Sequence, residues 1–379
     1  MSSHNQARSF LSDKKRIVVK VGTSSLLYPK GSVNLRFIHQ LARQLADLRN
    51  RGKQVILVSS GAIGVGFPLL GFSERPASLT DRQASAAVGQ GILLNLYERF
   101  FHEYGQTVAQ MLLTKGDALH SKRYLHVVGA LRALLELGAI PIINENDVVA
   151  TDEIKIGDND TLSAVVASIS EADLLIILSD VEGLYEEDPR ANPKAKLIHQ
   201  VDRFSRDMLS MAGGAGSKVG TGGMYTKLSA AEICVRSGID MIIAKSSLPE
   251  IISRIIDGEE LGTLFCAEPV HHQMRKRSLI IGFSVKGKVF VDQGCMNALL
   301  YHGSSLLPVG IENVEGSFDE GDAISIYYKH KEIARGITHY SSDDIMMMKG
   351  SRTEHLKHRL SYPPPYETVI HRDNLIIMK

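Results

Sequence analysis

Arg16-Ile-Val-Val-Lys-Val-Gly-Thr-Ser24 and Gln54-Val-Ile-Leu-Val-Ser-Ser-Gly-Ala-Ile-Gly-Val-Gly66 set the architecture. Each is a nearly unbroken apolar run, rich in β-branched residues, that ends in glycine and small residues. Such a run is the signature of a strand buried on both faces. Between them, Val33 to Arg51 carries Phe37, Leu41, Leu45 and Leu48 at helical spacing and stops at Gly52, which predicts a crossover helix. The pattern continues outward. Further strands are predicted at 105–113, 139–144, 173–179 and 240–244. Helices are expected near 81–104, 124–137, 161–172 and 225–237. This alternation implies an α/β fold with a mostly parallel central sheet flanked by helices, whose ligands sit beyond the carboxyl ends of the strands.

The 379 residues suit two domains. The texture changes near Glu268: 269–277 is polar and basic, and short strand candidates follow at 287–292, 323–328 and 332–335, broken by glycine turns. The expected division is a catalytic domain over 1–268, a linker over 269–282, a small mostly-β domain over 283–362 and a carboxyl-terminal extension over 363–379. A helical text over 343–359 precedes Pro363-Pro-Pro-Tyr366, which no helix interior accepts.

Composition excludes several classes. A hydrophobic fraction of 44% with 22% charged residues is ordinary globular usage. Forty-three basic against 42 acidic residues leave a net charge of +1, so no global field draws the chain to nucleic acid or membrane. Three dispersed cysteines argue against a disulfide framework. No run is long enough to span a membrane, and the first sixteen residues lack a secretory apolar stretch. A soluble cytoplasmic protein is expected. The P-loop, GxGxxG, HExxH and GxSxG signatures are all missing.

Five polar loops remain at strand ends. In Lys20-Val-Gly-Thr-Ser24 a lysine inside a buried strand calls for an anionic partner. Ser59-Ser-Gly-Ala-Ile-Gly-Val-Gly66 opens a helix with small residues, suited to a carboxylate or phosphate, although a tight strand-helix turn explains it equally well. Asn144-Glu-Asn-Asp147 and Ile156-Gly-Asp-Asn-Asp160 are dense in carboxylates and amides, with Asp160 placed to cap the following helix. They fit a bound amino group, Mg²⁺ or partner lysines. Finally, seven of the eleven residues 213–223 are Gly or Ala, and a helix carrying Lys227 follows, a phosphate-binding arrangement. Ser179-Asp180 ends the strand before it. Two lysines, organising acids and glycine-rich turns suggest phosphoryl transfer.

The segments VKVGTS, VSSGAIGVG, NENDVVAT, KIGDNDTLSA, TGGMYTKLSAAEI and VIHRDN resemble the glutamate 5-kinases of the amino acid kinase family, from about Arg16 to about Asn374. The region 283–343, with GSSLLPVGI at 303–311, looks like a PUA domain. The resemblance implies ATP-dependent phosphorylation of the γ-carboxylate of L-glutamate, the first step of proline biosynthesis from glutamate. By motif position it implies that Lys20 and Lys227 neutralise the transferring phosphoryl group and that Asp160 holds both lysines. Ser60, Asp147 and Asn159 would bind glutamate. Lys20, Ser179, Asp180, Thr221, Gly222, Gly223, Met224, Tyr225, Thr226 and Lys227 would bind ATP, with Mg²⁺ on the phosphates and no metal ligand assigned to the protein. It further implies feedback inhibition by proline, a homo-oligomer (dimer or tetramer), and glutamate-5-semialdehyde dehydrogenase as a candidate for handover of product. Ser179 stands where threonine is frequent, and Tyr225 occupies a variable position. Sister kinases acting on N-acetylglutamate, aspartate, carbamate or UMP would keep the fold and change the acceptor. An RNA-binding tail is disfavoured, because residues 271–379 hold 14 Lys or Arg against 12 Asp or Glu, a net of only +2.

Overall fold

The structure is a computed structural model that describes residues 8–114, 117, 121–149, 159–189, 192–212, 223–268, 285–351 and 366–378. Two compact units emerge, one of residues 1–115 and 130–269, the other of 116–129 and 270–379.

The first unit is built on an eight-stranded sheet. Its strands are β1 (Arg16–Val21), β2 (Gln54–Ser59), β3 (Val108–Leu113), β4 (Ile140–Glu145), β5 (Leu174–Ser179), β8 (Gln200–Val201), β9 (Asp240–Lys245) and β10 (Thr263–Phe265), in the spatial order β3-β4-β2-β1-β5-β9-β10-β8. A separate ribbon pairs β6 (Leu184–Tyr185) with β7 (Leu197–Ile198). All pairings from β3 to β9 are parallel, and β10 runs antiparallel to β9. The helices up to residue 269 are α1 (Thr23–Leu26), α2 (Leu35–Asn50), α3 (Ala62–Gly66), α4 (Leu79–Glu103), α5 (Ser121–Glu136), α6 (Asn159–Ile169), α7 (Asp207–Ala212), α8 (Met224–Arg236) and α9 (Ile251–Ile256).

Side-chain alternation along the strands sorts the two faces. Ile17, Val19 and Val21 of β1, Val55 and Leu57 of β2, and Leu174, Ile176 and Leu178 of β5 share one core with Leu41, Leu45 and Leu48 of α2, Leu93 and Tyr97 of α4, and Ile252 and Ile255 of α9. Val18 and Lys20 therefore point to the opposite face, which α6 and α8 cover. Burial of this kind stabilises by about 25 cal/mol per Å² of apolar surface. The polar exception, Lys20, has to be explained by what it meets.

The second unit is a five-stranded sheet in the order β12-β11-β13-β14-β15, formed by β11 (Val285–Val291), β12 (Ile311–Glu315), β13 (Ala323–Tyr328), β14 (Lys331–Ile337) and β15 (Leu375–Ile377). It carries α10 (Gln293–His302) and α11 (Ser342–Met348) around a core that includes Val289, Leu299, Ile324, Ile326, Ile345 and Met348. Residues 366–378, read from sequence as part of an extension, supply the edge strand β15, paired with β14. Of the predicted helical text over 343–359, α11 accounts for the first part, and 352–359 lies outside the described residues. The basic linker over 269–282 lies outside them too. Among the described residues no helix is long and apolar enough to cross a membrane.

Candidate active site

The parallel strands bring their carboxyl ends into line. Val21 of β1 is level with Ser59 of β2 and Leu178 of β5, and Ser179 of β5 is level with Lys245 of β9. The strand order runs outward from β1 in both directions, to β2 and β4 on one side and to β5 and β9 on the other. Such a reversal opens a crevice at the strand ends.

Lys20 lies next to this end and faces α6. Its ammonium meets Asp160 Oδ1 at 2.5 Å, while Lys227 Nζ, from α8, meets Asp160 Oδ2 at 3.1 Å. All three are buried: Lys20 is 4% exposed, Lys227 6% and Asp160 0%. Burial alone would push the Asp160 carboxyl up, but the two ammonium groups outweigh it and hold the group below the ordinary carboxylate value. Thr226 Oγ1 adds a third donor to Asp160 Oδ2 at 3.1 Å. Two ammonium groups thus converge on one carboxylate in a largely desolvated place, a setting that suits a bound anion. The sequence suggests Asp160 as the cap of a helix starting at Thr161. Helix α6 instead begins at Asn159, so Asp160 lies in its first turn, where the helix dipole favours a negative charge.

A second polar corner sits one strand away. The Asn159 side-chain amide donates to Ser59 O (2.7 Å), to Ser60 Oγ (2.9 Å) and to Asn144 Oδ1 (2.8 Å). Asn144 Oδ1 also accepts from the Glu145 amide at 2.9 Å, which fixes the orientation of that side chain. Ser60 stands where β2 turns into α3. Gly61 makes the turn at φ 94°, in the left-handed region where glycine carries no steric penalty. Asp147 is half-buried in the turn two residues beyond β4, a turn closed by a bond from Val149 N to Asn146 O at 3.2 Å.

On the other side of β1, Ser179 is buried at the end of β5. Its hydroxyl donates to Asp180 Oδ1 at 3.0 Å, and its carbonyl accepts from Ser246 N at 2.7 Å. Ser25 of α1 reaches the same loop, donating to Ser246 Oγ at 2.8 Å. Gly223 precedes α8, whose first turns carry Met224, Tyr225, Thr226 and Lys227. Tyr225 is 54% exposed. A β-carbon on Gly22 would stand 3.7 Å from Lys20 Nζ, so that glycine lies directly against the ammonium.

The predicted residues thus form two groups, Lys20–Asp160–Lys227 with Thr226, and Ser60–Asn159. The adjacent positions Asn159 and Asp160 on α6 link them. Thr221 and Gly222 lie outside the described residues. Sequence reasoning places Ser59 and Asn144 in candidate loops without giving either a role, and it does not single out Tyr97, whose hydroxyl lies 2.9 Å from Ser59 Oγ. Nothing in the sequence distinguishes Tyr97 from the other apolar-stripe residues of α4.

The chain matches the model of the amino acid kinase family over residues 15–245 and that of the PUA domain over residues 287–360. It is 50% identical to a glutamate 5-kinase of Caldanaerobacter subterraneus subsp. tengcongensis, over 96% of this chain and 98% of that protein. It is 45% identical to a glutamate 5-kinase of Carboxydothermus hydrogenoformans, over 98% of this chain and 100% of the other. The corresponding protein of Trichormus variabilis is 46% identical, over 96% of this chain and 99% of its own length.

Proposed function

This chain belongs to the amino acid kinase family, within its glutamate 5-kinase branch, and we propose that it transfers the γ-phosphoryl group of ATP to the γ-carboxylate of L-glutamate. The observation that carries the reading is the buried cluster of two lysines on one aspartate, beside the Ser60–Asn159 corner.

A carboxylate acceptor is already ionised at neutral pH, so the step needs no general base. A glutamate oxygen forms the new bond to phosphorus, the bond from the γ-phosphorus to the β–γ bridging oxygen breaks, and ADP departs with that electron pair. Charge builds on the transferring group and on the leaving oxygen. Lys20 and Lys227 are the cations placed to neutralise it, and Asp160 holds both ammonium groups in position. Ser60 and Asn159 are assigned to the glutamate carboxylates, and Asp147 to its ammonium. Ser179, Asp180 and the 221–227 segment are assigned to the nucleotide. Mg²⁺ enters with the substrate as MgATP. In this reading the metal rides on the phosphates.

The same reading extends, on family likeness, to inhibition by proline at a site overlapping that of glutamate, to a homo-oligomer and to work in the cytoplasm. It also assigns 1–268 to catalysis and 283–362 to the PUA domain. An acyl phosphate hydrolyses readily, which favours prompt consumption by a reductase such as glutamate-5-semialdehyde dehydrogenase.

The test is acyl-phosphate formation, trapped with hydroxylamine, in the presence of MgATP and glutamate, N-acetylglutamate or aspartate in turn. Product with glutamate alone, suppressed by proline, is expected. Product with another acceptor and none with glutamate would overturn the substrate assignment.

A further inference from the structure

Helix α4 takes no part in the lysine cluster, yet it grips both strand ends that build the polar corner. Its buried face is Ser85, Ala86, Gly89, Gln90, Leu93, Tyr97 and Phe101, the spacing of a single helical stripe. Within that stripe Ser85 turns its hydroxyl back to Asp81 O at 2.7 Å, while Gln90 and Tyr97 carry polar groups that reach other elements. Tyr97 is fully buried, and its phenol is pushed well up by that burial, so it acts as a neutral hydroxyl.

The connections run as a chain of hydrogen bonds. Ser59 Oγ donates to Ser60 O at 3.1 Å, which leaves the Tyr97 hydroxyl as the donor to Ser59 Oγ at 2.9 Å. The carbonyl of the same Ser59 accepts from Asn159 at 2.7 Å. On the neighbouring strand, Gln90 Nε2 donates to Glu145 O at 3.3 Å, next to Asn144, the other anchor of Asn159. Helix α3 is seated on α4 backbone to backbone. A β-carbon at Gly89 would come within 1.8 Å of Ala62 O, and one at Gly66 within 1.9 Å of Ser85 O. The space among Ser59, Gln90, Tyr97, Gln110 and Asn144 is about 10 Å³, at the lower limit for a water molecule.

We infer that Tyr97 and Gln90 are positioning residues of the acceptor site, which set Ser60 and Asn159 from the opposite face of the sheet without touching the reacting atoms. The inference rests on the assignment of that corner to glutamate. It makes glutamate affinity depend on α4, while nucleotide affinity, governed by the face under α6 and α8, does not.

Steady-state kinetics of the full chain test it. Tyr97→Phe keeps the ring and leaves Ser59 its bond to Ser60 O. It is expected to raise the glutamate KM roughly three- to tenfold, the scale of one neutral hydrogen bond, with the ATP KM and kcat within twofold. Gln90→Met, close in volume, is expected to act in the same direction and carries the test if Tyr97→Phe does not fold. Because Ser59 is the shared partner, Ser59→Ala combined with Tyr97→Phe should raise the glutamate KM no more than the larger single effect. A glutamate KM unchanged in both single variants would overturn the inference. So would a fall in kcat alone, or an equal rise in both KM values, in step with a lowered Tm, since either marks a merely structural role. If the unaltered chain itself forms no glutamyl phosphate, it is the substrate assignment that fails, and the two failures are thereby distinguished.

Discussion

Asp160 gathers two ammonium groups and a hydroxyl on one fully buried carboxylate. Asp160→Asn would leave both lysines in a dry site without their counter-charge, a loss on the order of 3–5 kcal/mol. The expected result is a Tm lowered by several degrees together with loss of turnover, read by calorimetry and assay on the same protein. The sign of the pH effect follows from the direction of the shift. A carboxyl held below its unfolded value contributes stability that is fully present above that value and is lost as pH falls through the folded one. Thermal denaturation carried down from pH 7 should therefore show a steeper acid loss in the unaltered chain than in Asp160→Asn. Asp147 belongs to a different class. As a half-exposed ground-state contact it predicts, for Asp147→Ala, a raised glutamate KM with kcat at saturation kept. A collapsed kcat at unchanged KM would move it into the chemistry.

At the scale of elements, the turn from β2 into α3 and the start of α4 make a controlled contrast. Gly61→Ala would place a side chain at φ 94°, 3.3 Å from Leu26 Cδ1, at a cost of about 1–2 kcal/mol. It would also displace Ser60, so both stability and glutamate KM should suffer. Ser78 caps α4 by accepting from Asp81 N at 3.0 Å. Ser78→Ala should cost about 1 kcal/mol and leave the glutamate KM alone, because the cap lies well over two turns from Gln90. Much of this level was legible in the sequence. The strands β1, β2, β4, β5 and β9 are apolar runs closed by small residues, and a lysine within one of them, Lys20, announces a partner. Lys227 was legible for a similar reason, as a cation just after a glycine-rich turn. The short strands β8, β10 and β15 were not, since two or three residues carry no periodicity and their pairing is decided by neighbours distant in sequence. Tyr97 was hidden because an aromatic residue in an apolar stripe looks the same whether its hydroxyl is idle or holds a strand end.

At the scale of the whole molecule, the fold places the two-lysine cluster and the Ser60–Asn159 polar corner at the ends of adjacent strands, joined through Asn159 and Asp160 on one helix. Proline, sharing the carboxylate and the nitrogen of glutamate, is expected to raise the apparent glutamate KM and leave the ATP KM unchanged, a pattern that initial-rate measurements at several proline concentrations would read. The central claim is that the buried lysines neutralise the transferring group, and the most direct measurement is the kcat of Lys227→Ala at saturating glutamate and MgATP, in protein whose circular dichroism matches that of the unaltered chain. The account predicts a fall of roughly 10² to 10³. Turnover within threefold of the unaltered chain would contradict it.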